Sequence, residues 1–199
     1  MKRIISLLLA TTMFVVACNN NKPKETTVIT SSDGKETVTI DPKQMQNAVQ
    51  DMEKQKTELA KLTPLTLDQL KALIPESLMG AQRTNVEANS SMGAGLARGE
   101  YELNDSTQIS LNIYDCAGPA GAGIYSMQYL GMYNLQEENE EEYTKIIDFN
   151  GGKAFEHCEK ATNDCTISYF SGGRFMVTLE GDRVGADALK QTARGLDIK

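Results

Sequence analysis

The sequence contains no tryptophan, a single histidine and fewer basic than acidic residues. Any catalytic mechanism that needs a histidine would therefore depend on His157 alone. Lysine and arginine number 20 against 27 aspartates and glutamates, which gives a formal charge of −7 at pH 7. This acidic balance argues against nucleic-acid binding and against a polybasic lipid-binding face. After Cys18, the sequence has no apolar run long enough to cross a membrane as a helix.

The N-terminus has the pattern of a secretory signal that ends on a cysteine. Two basic residues precede the apolar run Ile4–Ala17, which is shorter than the roughly 20 residues that span a bilayer. The sequence VVAC at 15–18 resembles the lipobox of bacterial lipoproteins. The resemblance implies that residues 1–17 are removed as a signal peptide. It also implies that Cys18 is acylated and becomes the first residue of the mature protein.

An acylated Cys18 would attach the protein to a membrane through several acyl chains, which anchor far more stably than one. Asn19 follows the cysteine where an aspartate would oppose sorting to the outer membrane in enteric bacteria. The expected location is therefore the bacterial cell envelope, on the outer membrane, facing the periplasm or the cell surface. A plain secretory signal and an N-terminal membrane anchor are the alternatives.

The rest of the chain predicts a tether followed by one domain. Residues 18–40 are polar and favour a tether, although two β-prone runs around Asp33-Gly34 leave a hairpin as the alternative. Residues 41–199 predict a single α+β domain with N-terminal helices over 41–75. The first helix is favoured by Asp41-Pro42, an N-cap followed by proline at the first helical position.

Strand patterns follow these helices. Residues 80–99 are rich in glycine, asparagine and serine and predict a long loop or an irregular strand. About six strands are expected from Glu100 onward, mostly joined by tight turns that require antiparallel pairing. The strand pair around a helix at Ile124–Leu135 is the expected exception, and a last helix is predicted over Val184–Leu196. The predicted fold is α+β, a mainly antiparallel sheet with helices packed on one face.

Three cysteines remain besides Cys18. Export to an oxidising compartment favours a disulfide, and the predicted hairpin places Cys158 opposite Cys165. A bridge to Cys116, or three free thiols, are the alternatives. Strand alternation places Cys158 on the same face as Glu156. The Cys158–Cys165 pairing therefore predicts either that Glu156 lies at a sheet margin or that a bulge intervenes.

No pattern in the chain predicts a catalytic, metal or cofactor site. The Gly-rich turn at 116–123 lacks the lysine and serine or threonine of a Walker motif. His157 and Cys158 are adjacent on a predicted strand and would point to opposite faces, which disfavours a zinc site. The acidic run Glu137–Glu142 lacks the interleaved residues of a calcium loop. No G-x-S-x-G elbow accompanies the single histidine.

These observations favour a membrane-anchored, non-enzymatic domain that binds an envelope protein or a small apolar ligand. The alternatives are an envelope enzyme that uses His157 or a cysteine, and a purely structural envelope component. Several methionines offer adaptable apolar surface, for the core or for a groove that the sequence does not locate. They are Met79, Met92, Met127 and Met132.

Overall fold

The computed structural model describes residues 27–30, 37–40, 42–91, 93–134 and 137–199. Cys18 and the signal sequence lie outside these described residues. In the first two of these ranges, β1 (Thr27–Thr30) pairs with β2 (Thr37–Ile40) in antiparallel register. This pairing corresponds to the hairpin that the sequence offers as the alternative to a tether.

Four helices are described: α1 (Pro42–Lys61), α2 (Leu67–Ala72), α3 (Gly118–Asn134) and α4 (Ala186–Gly195). α2 begins at a capping box, because the Thr66 hydroxyl accepts a hydrogen bond from the backbone N–H of Gln69 at 3.3 Å. The Gln69 side chain in turn accepts from the Thr66 N–H at 2.9 Å. α1, α2 and α4 lie within a few residues of the helices that the sequence predicts.

The unit Ala48–Lys199 contains one antiparallel sheet of nine strands, three more than expected. The strands are β3 (Ser77–Leu78), β4 (Ala81–Ser91), β5 (Ala94–Asn104), β6 (Thr107–Asp115), β7 (Glu137–Glu138), β8 (Glu142–Phe149), β9 (Gly152–Glu159), β10 (Asp164–Ser171) and β11 (Phe175–Asp182). Their order in the sheet is β3-β4-β5-β6-β11-β10-β9-β8-β7. Two meanders therefore meet at the β6–β11 pair, and α3 connects them.

The expected exception to antiparallel order is wrong. β6 and β7 flank α3 in sequence but are not neighbours in the sheet, and every described strand pair is antiparallel. α3 carries the chain from the centre of the sheet to its far edge. The second meander then returns strand by strand until β11 pairs with β6.

The region 80–99, predicted as a loop or irregular strand, contains β4 and the first half of β5. Gly95 and Gly99 lower the strand propensity of β5, but they lie where α2 approaches the sheet. A Cβ atom at Gly95 would lie 2.6 Å from Leu70 Cδ1, and one at Gly99 would lie 2.3 Å from Ile74 Cγ2. The glycines therefore mark close packing between helix and sheet.

Helices cover both faces of the sheet, which corrects the expectation of one covered face. Val177 packs in the larger core with residues of α2 and α4, whereas the adjacent Met176 packs in a second cluster with α1 and α3. Successive side chains of a strand point to opposite faces, so both faces are apolar here. The run Phe175-Met176-Val177 is the sequence signature of a strand buried on both sides.

Candidate functional site

A cleft lies between the segment after α2 and the C-terminal end of α4. It has a volume of about 700 Å³, within the roughly 300–1,000 Å³ typical of small-molecule sites. We call it the apolar cleft. Its lining residues are Ala72, Leu73, Pro75, Ser77, Leu78, Met79, Ala188, Gln191, Thr192, Gly195, Leu196, Asp197 and Ile198.

Aliphatic side chains form the inner surface of the apolar cleft. Leu78 and Ile198 are buried, with exposed fractions of 6% and 4%. Leu73 and Leu196 are partly buried and pack against the same core. Met79 is 43% exposed, a high value for a large apolar side chain. The cleft therefore has an apolar interior that continues into the core and an apolar residue at its opening.

Met79 lies in a tight turn that is unusual for its residue type. Leu78 pairs with Ala81, so Met79 and Gly80 form a two-residue hairpin loop between β3 and β4. Both have positive φ, 51° and 84°, as in a type I′ turn. A side chain other than glycine, asparagine or aspartate is disfavoured in this left-handed region. The fold thus holds a methionine at the cleft opening at some cost in stability.

The polar groups of the apolar cleft are few and mostly neutral. Thr192 already donates its hydroxyl to the Ala188 carbonyl at 2.8 Å. Gln191 and Ser77 are exposed at the rim. Asp197 is the sole ionisable residue of the lining, and its carboxylate lies 2.6 Å from Lys199 Nζ.

A second cleft, of about 520 Å³, lies on the other side of α4 over β8 and β9. Glu156 is fully buried at the base of this cleft. It contacts Tyr143, Lys145 and Lys190, and we call these four residues the Glu156 cluster. Tyr143 donates to Oε1 at 2.8 Å, and Lys145 Nζ lies 2.9 Å from the same oxygen. Lys190 Nζ lies 3.1 Å from Oε2, off the direction of a well-formed hydrogen bond, so this contact is a charge interaction.

The charges of the Glu156 cluster satisfy one another. Burial opposes ionisation of Glu156, but the contacts with Lys145, Tyr143 and Lys190 outweigh it and lower the pKa of the carboxyl. Burial, and then the bond to Glu156, raise the pKa of the Tyr143 hydroxyl to about 12. Lys190 also pairs with Asp187 at 2.8 Å. The cluster therefore connects α4 to the sheet, and each of its charges is already paired within the protein.

Cys158 and Cys165 are joined in a disulfide and lie directly opposite each other in the β9–β10 pair. The sequence predicts that this pairing requires either Glu156 at a sheet margin or a bulge, and both alternatives are wrong. Glu156 is buried opposite Ile167 rather than at a sheet margin, and the register has no bulge. Lys190 explains the difference, because it supplies from α4 a charge partner that a strand pattern does not reveal.

The remaining thiol, Cys116, is buried, and burial raises its pKa to about 12. A thiol with this pKa is almost fully protonated at neutral pH and is a poor nucleophile. Cys116 therefore has the properties of a core residue.

His157 lies beside two candidate partners, but on a regular strand. Its Nδ1 is 3.0 Å from Thr144 Oγ1, and its Nε2 is 3.7 Å from a Glu142 carboxylate oxygen. Thr144 and His157 are opposite each other in the β8–β9 ladder. Backbone N–H groups in such a ladder are committed to strand pairing, whereas acyl transfer needs free donors for an oxyanion. His157 also lies outside both clefts.

The Gly-rich turn at 116–123 starts α3 directly after the carboxylate of Asp115. Asp115 is buried and accepts N–H bonds from Ala117 at 3.1 Å and from Leu65 at 2.7 Å. Arg174 binds both of its oxygens at 2.8 Å. Burial raises the pKa of Asp115, but these bonds outweigh it and lower the pKa overall. Asp115 thus ties the α1–α2 connection to the sheet and makes this helix start unsuitable for an anion.

Among the described residues, no group of three or more histidine, cysteine, aspartate or glutamate side chains is placed to hold a metal ion. No helix in this part of the chain has the length and apolar character needed to cross a membrane. No family model, curated protein or solved structure compared with the chain matches it.

Sequence reasoning did not locate the apolar cleft or the Glu156 cluster. Met79, which the sequence predicts as adaptable apolar surface, lies at the cleft opening. Met127, on α3, is 77% exposed and lies elsewhere. Met92 and the side chain of Met132 lie outside the described part of the chain. A signal for the cleft was available in Leu78-Met79-Gly80, where a large apolar residue precedes a glycine in a turn.

Proposed function

We propose that this protein is a bacterial envelope lipoprotein, anchored through Cys18, whose domain binds a small apolar ligand in the apolar cleft. The cleft is the observation that carries the proposal. It combines a ligand-sized volume, an apolar interior and few polar groups. The lipobox resemblance at 15–18 supports the anchor, and Asn19 supports an outer-membrane location, facing the periplasm or the cell surface.

Binding is favoured over catalysis by the state of the candidate nucleophiles. Cys158 and Cys165 are bonded to each other, and Cys116 is buried with a raised pKa. His157 lies on a regular strand, outside both clefts. A small ligand is favoured over an envelope protein or a purely structural role because the cleft has a ligand-sized volume and a mainly aliphatic lining.

The test uses an apolar fluorescent probe and two tryptophan variants. Gly195 lines the apolar cleft, and a Cβ atom there would contact nothing within 4 Å. Gly195→Trp should therefore fold and fill part of the cleft. Gly123, on α3, is equally open to a Cβ atom and is not a cleft residue. Gly123→Trp is thus the matched control.

The full mature chain, made without its signal peptide and with Cys18→Ser, is titrated with N-phenyl-1-naphthylamine. We expect a saturable rise in probe fluorescence, weakened at least about tenfold in affinity by Gly195→Trp and unchanged by Gly123→Trp. Circular dichroism and thermal melting check that both variants fold. Absence of a saturable signal, or equal affinities for the two variants, would contradict the proposal.

A further inference from the structure

The charges around the apolar cleft restrict the ligand that it would accept. None of the lining residues is basic, and Asp197 is the one acidic residue among them. The nearest described lysine partner of Asp197 is Lys199, already paired with it at 2.6 Å. An anionic group entering the cleft would meet a carboxylate and no free cation. Removing a charged group from water without a partner is strongly unfavourable.

The C-terminal end of α4 adds to the negative potential, whereas a cation offsets that of α2, because Arg83 Nη1 donates to the Ile74 carbonyl just beyond it at 2.6 Å. α4 ends at Gly195 and α2 ends at Ala72, and both residues line the cleft. The C-terminal end of a helix carries partial negative charge from its last carbonyl groups. Arg194, in the last turn of α4, is stacked over the Phe149 ring at 5.3 Å and does not line the cleft. Lys71, in the last turn of α2, does not line it either.

The hydrogen-bonding groups of the cleft also restrict the ligand. The carboxylate of Asp197 is an acceptor, and the Gln191 amide can both accept and donate. The Thr192 hydroxyl is less available as a donor to a ligand, because it already donates to the Ala188 carbonyl. A ligand that donates a hydrogen bond is therefore matched better than one that only accepts.

We infer that the ligand is a neutral single-chain amphiphile, with a hydrocarbon chain and an uncharged, hydroxyl-bearing end. This inference rests on the proposed function of the cleft. The chain would lie on Leu73, Leu78, Leu196 and Ile198, and the hydroxyl end would lie at the rim beside Gln191 and Asp197. A free fatty acid would be a poor ligand, because its carboxylate would face Asp197.

The experiment compares ligands of equal chain length in displacing N-phenyl-1-naphthylamine from the full mature chain with Cys18→Ser, at pH 7. The ligands are decanol, decanoate and decyltrimethylammonium. We expect decanol to displace the probe at a concentration at least about tenfold below that of decanoate. Decyltrimethylammonium should fall within about tenfold of decanol, since the cleft lacks a buried counter-ion for it.

Two aspartate variants test the cause. Asp197→Asn should strengthen decanoate binding several-fold and leave decanol unchanged. Asp148 is a matched control, because it is also exposed and pairs with a lysine at 2.6 Å, but it does not line the apolar cleft. Asp148→Asn should change neither ligand.

The outcomes distinguish failure of the inferred ligand class from failure of the proposed binding function. Decanoate binding as tightly as decanol, or decyltrimethylammonium binding more than about tenfold more tightly, would overturn the inferred ligand class and leave the proposed function standing. Equal effects of Asp197→Asn and Asp148→Asn would also overturn the inference. Failure of every ligand and of the probe to bind would overturn the proposed function itself.

Discussion

Met79 occupies the same turn position as Asn150. Each is the first residue of a two-residue hairpin loop, with φ of 51° and 48°, and each is followed by a glycine with positive φ. Asparagine tolerates this left-handed conformation, because its short polar side chain can bond locally. Methionine has no such compensation. Met79 therefore lies at the apolar cleft in a strained conformation that Asn150 tolerates.

Met79→Asn should therefore stabilise the domain and weaken ligand binding. Relieving the left-handed conformation is expected to raise the free energy of unfolding by about 1 kcal/mol. Loss of the apolar side chain at the cleft opening should lower the affinity for N-phenyl-1-naphthylamine several-fold. Urea denaturation and probe titration measure the two effects on the same samples.

Asn150→Met is the reciprocal control, since Asn150 lies outside the apolar cleft. It should lower the free energy of unfolding by a similar amount and leave probe affinity unchanged. If Met79→Asn destabilises the domain, the left-handed residue is not the strained element that we infer.

Much of the fold follows from local patterns in the sequence. The bounds of α1 and α2 follow from a proline at the first helical position, from a capping box and from Thr63-Pro64, all of which act within a few residues. The pairing of β9 with β10 follows from a turn-prone loop. The sequence also predicts Cys158 opposite Cys165 from this hairpin.

The remaining features depend on contacts between distant segments. Gly95 and Gly99 weaken a strand by local propensity, yet they are required where Leu70 and Ile74 approach the sheet. The strand pattern places Glu156 on an apolar face, and the charge partner that makes this possible, Lys190, comes from α4. The apolar cleft is formed by segments over 100 residues apart, at 72–79 and 188–198. No window of sequence contains both walls.

Cys18 should carry the membrane anchor. Cells labelled with an alkyne analogue of palmitate should show a tagged band for the wild type. Cys18→Ser should abolish the tag and release the protein from the membrane fraction. Cys116→Ala is the control, because it removes a thiol that is buried in the fold, and it should leave the tag in place. A wild type that never labels, with Cys18→Ser still bound to membranes, would show that the lipobox resemblance is misleading.

The Cys158–Cys165 disulfide should stabilise the domain. It closes a loop of about eight residues, for which the chain-entropy model gives about 2.5 kcal/mol. The double substitution Cys158→Ala/Cys165→Ala should lower the free energy of unfolding by about this amount. Non-reducing peptide mapping of exported protein should find the two cysteines in one linked pair. A linked peptide that contains Cys116 would contradict the assignment.

The Glu156 cluster should be the main stabilising charge contact between α4 and the sheet. Glu156→Gln keeps the shape of the side chain and removes its charge, which leaves Lys145 and Lys190 without their shared partner. Because Lys145 is half exposed and Lys190 keeps Asp187 as a partner, we expect the free energy of unfolding to fall by about 1–2 kcal/mol at pH 7. Glu138→Gln is the matched control, because Glu138 pairs with Lys160 at 2.9 Å but is 72% exposed. It should change stability little.

The same substitution should change the response of the domain to acid. The pKa of Glu156 is lowered from its usual 4.5, so the folded state holds its carboxylate more strongly than the unfolded chain does. Its contribution is complete above pH 4.5 and is lost as the pH falls through the lower folded-state pKa. Asp115, Glu138, Asp164 and Asp187 have lowered pKa values as well, so the wild type should lose stability in several overlapping steps. Glu156→Gln removes one of them, and urea denaturation between pH 7 and pH 2 should give a shallower loss than in the wild type. Parallel curves for the two proteins would show that Glu156 is not ionised within the fold.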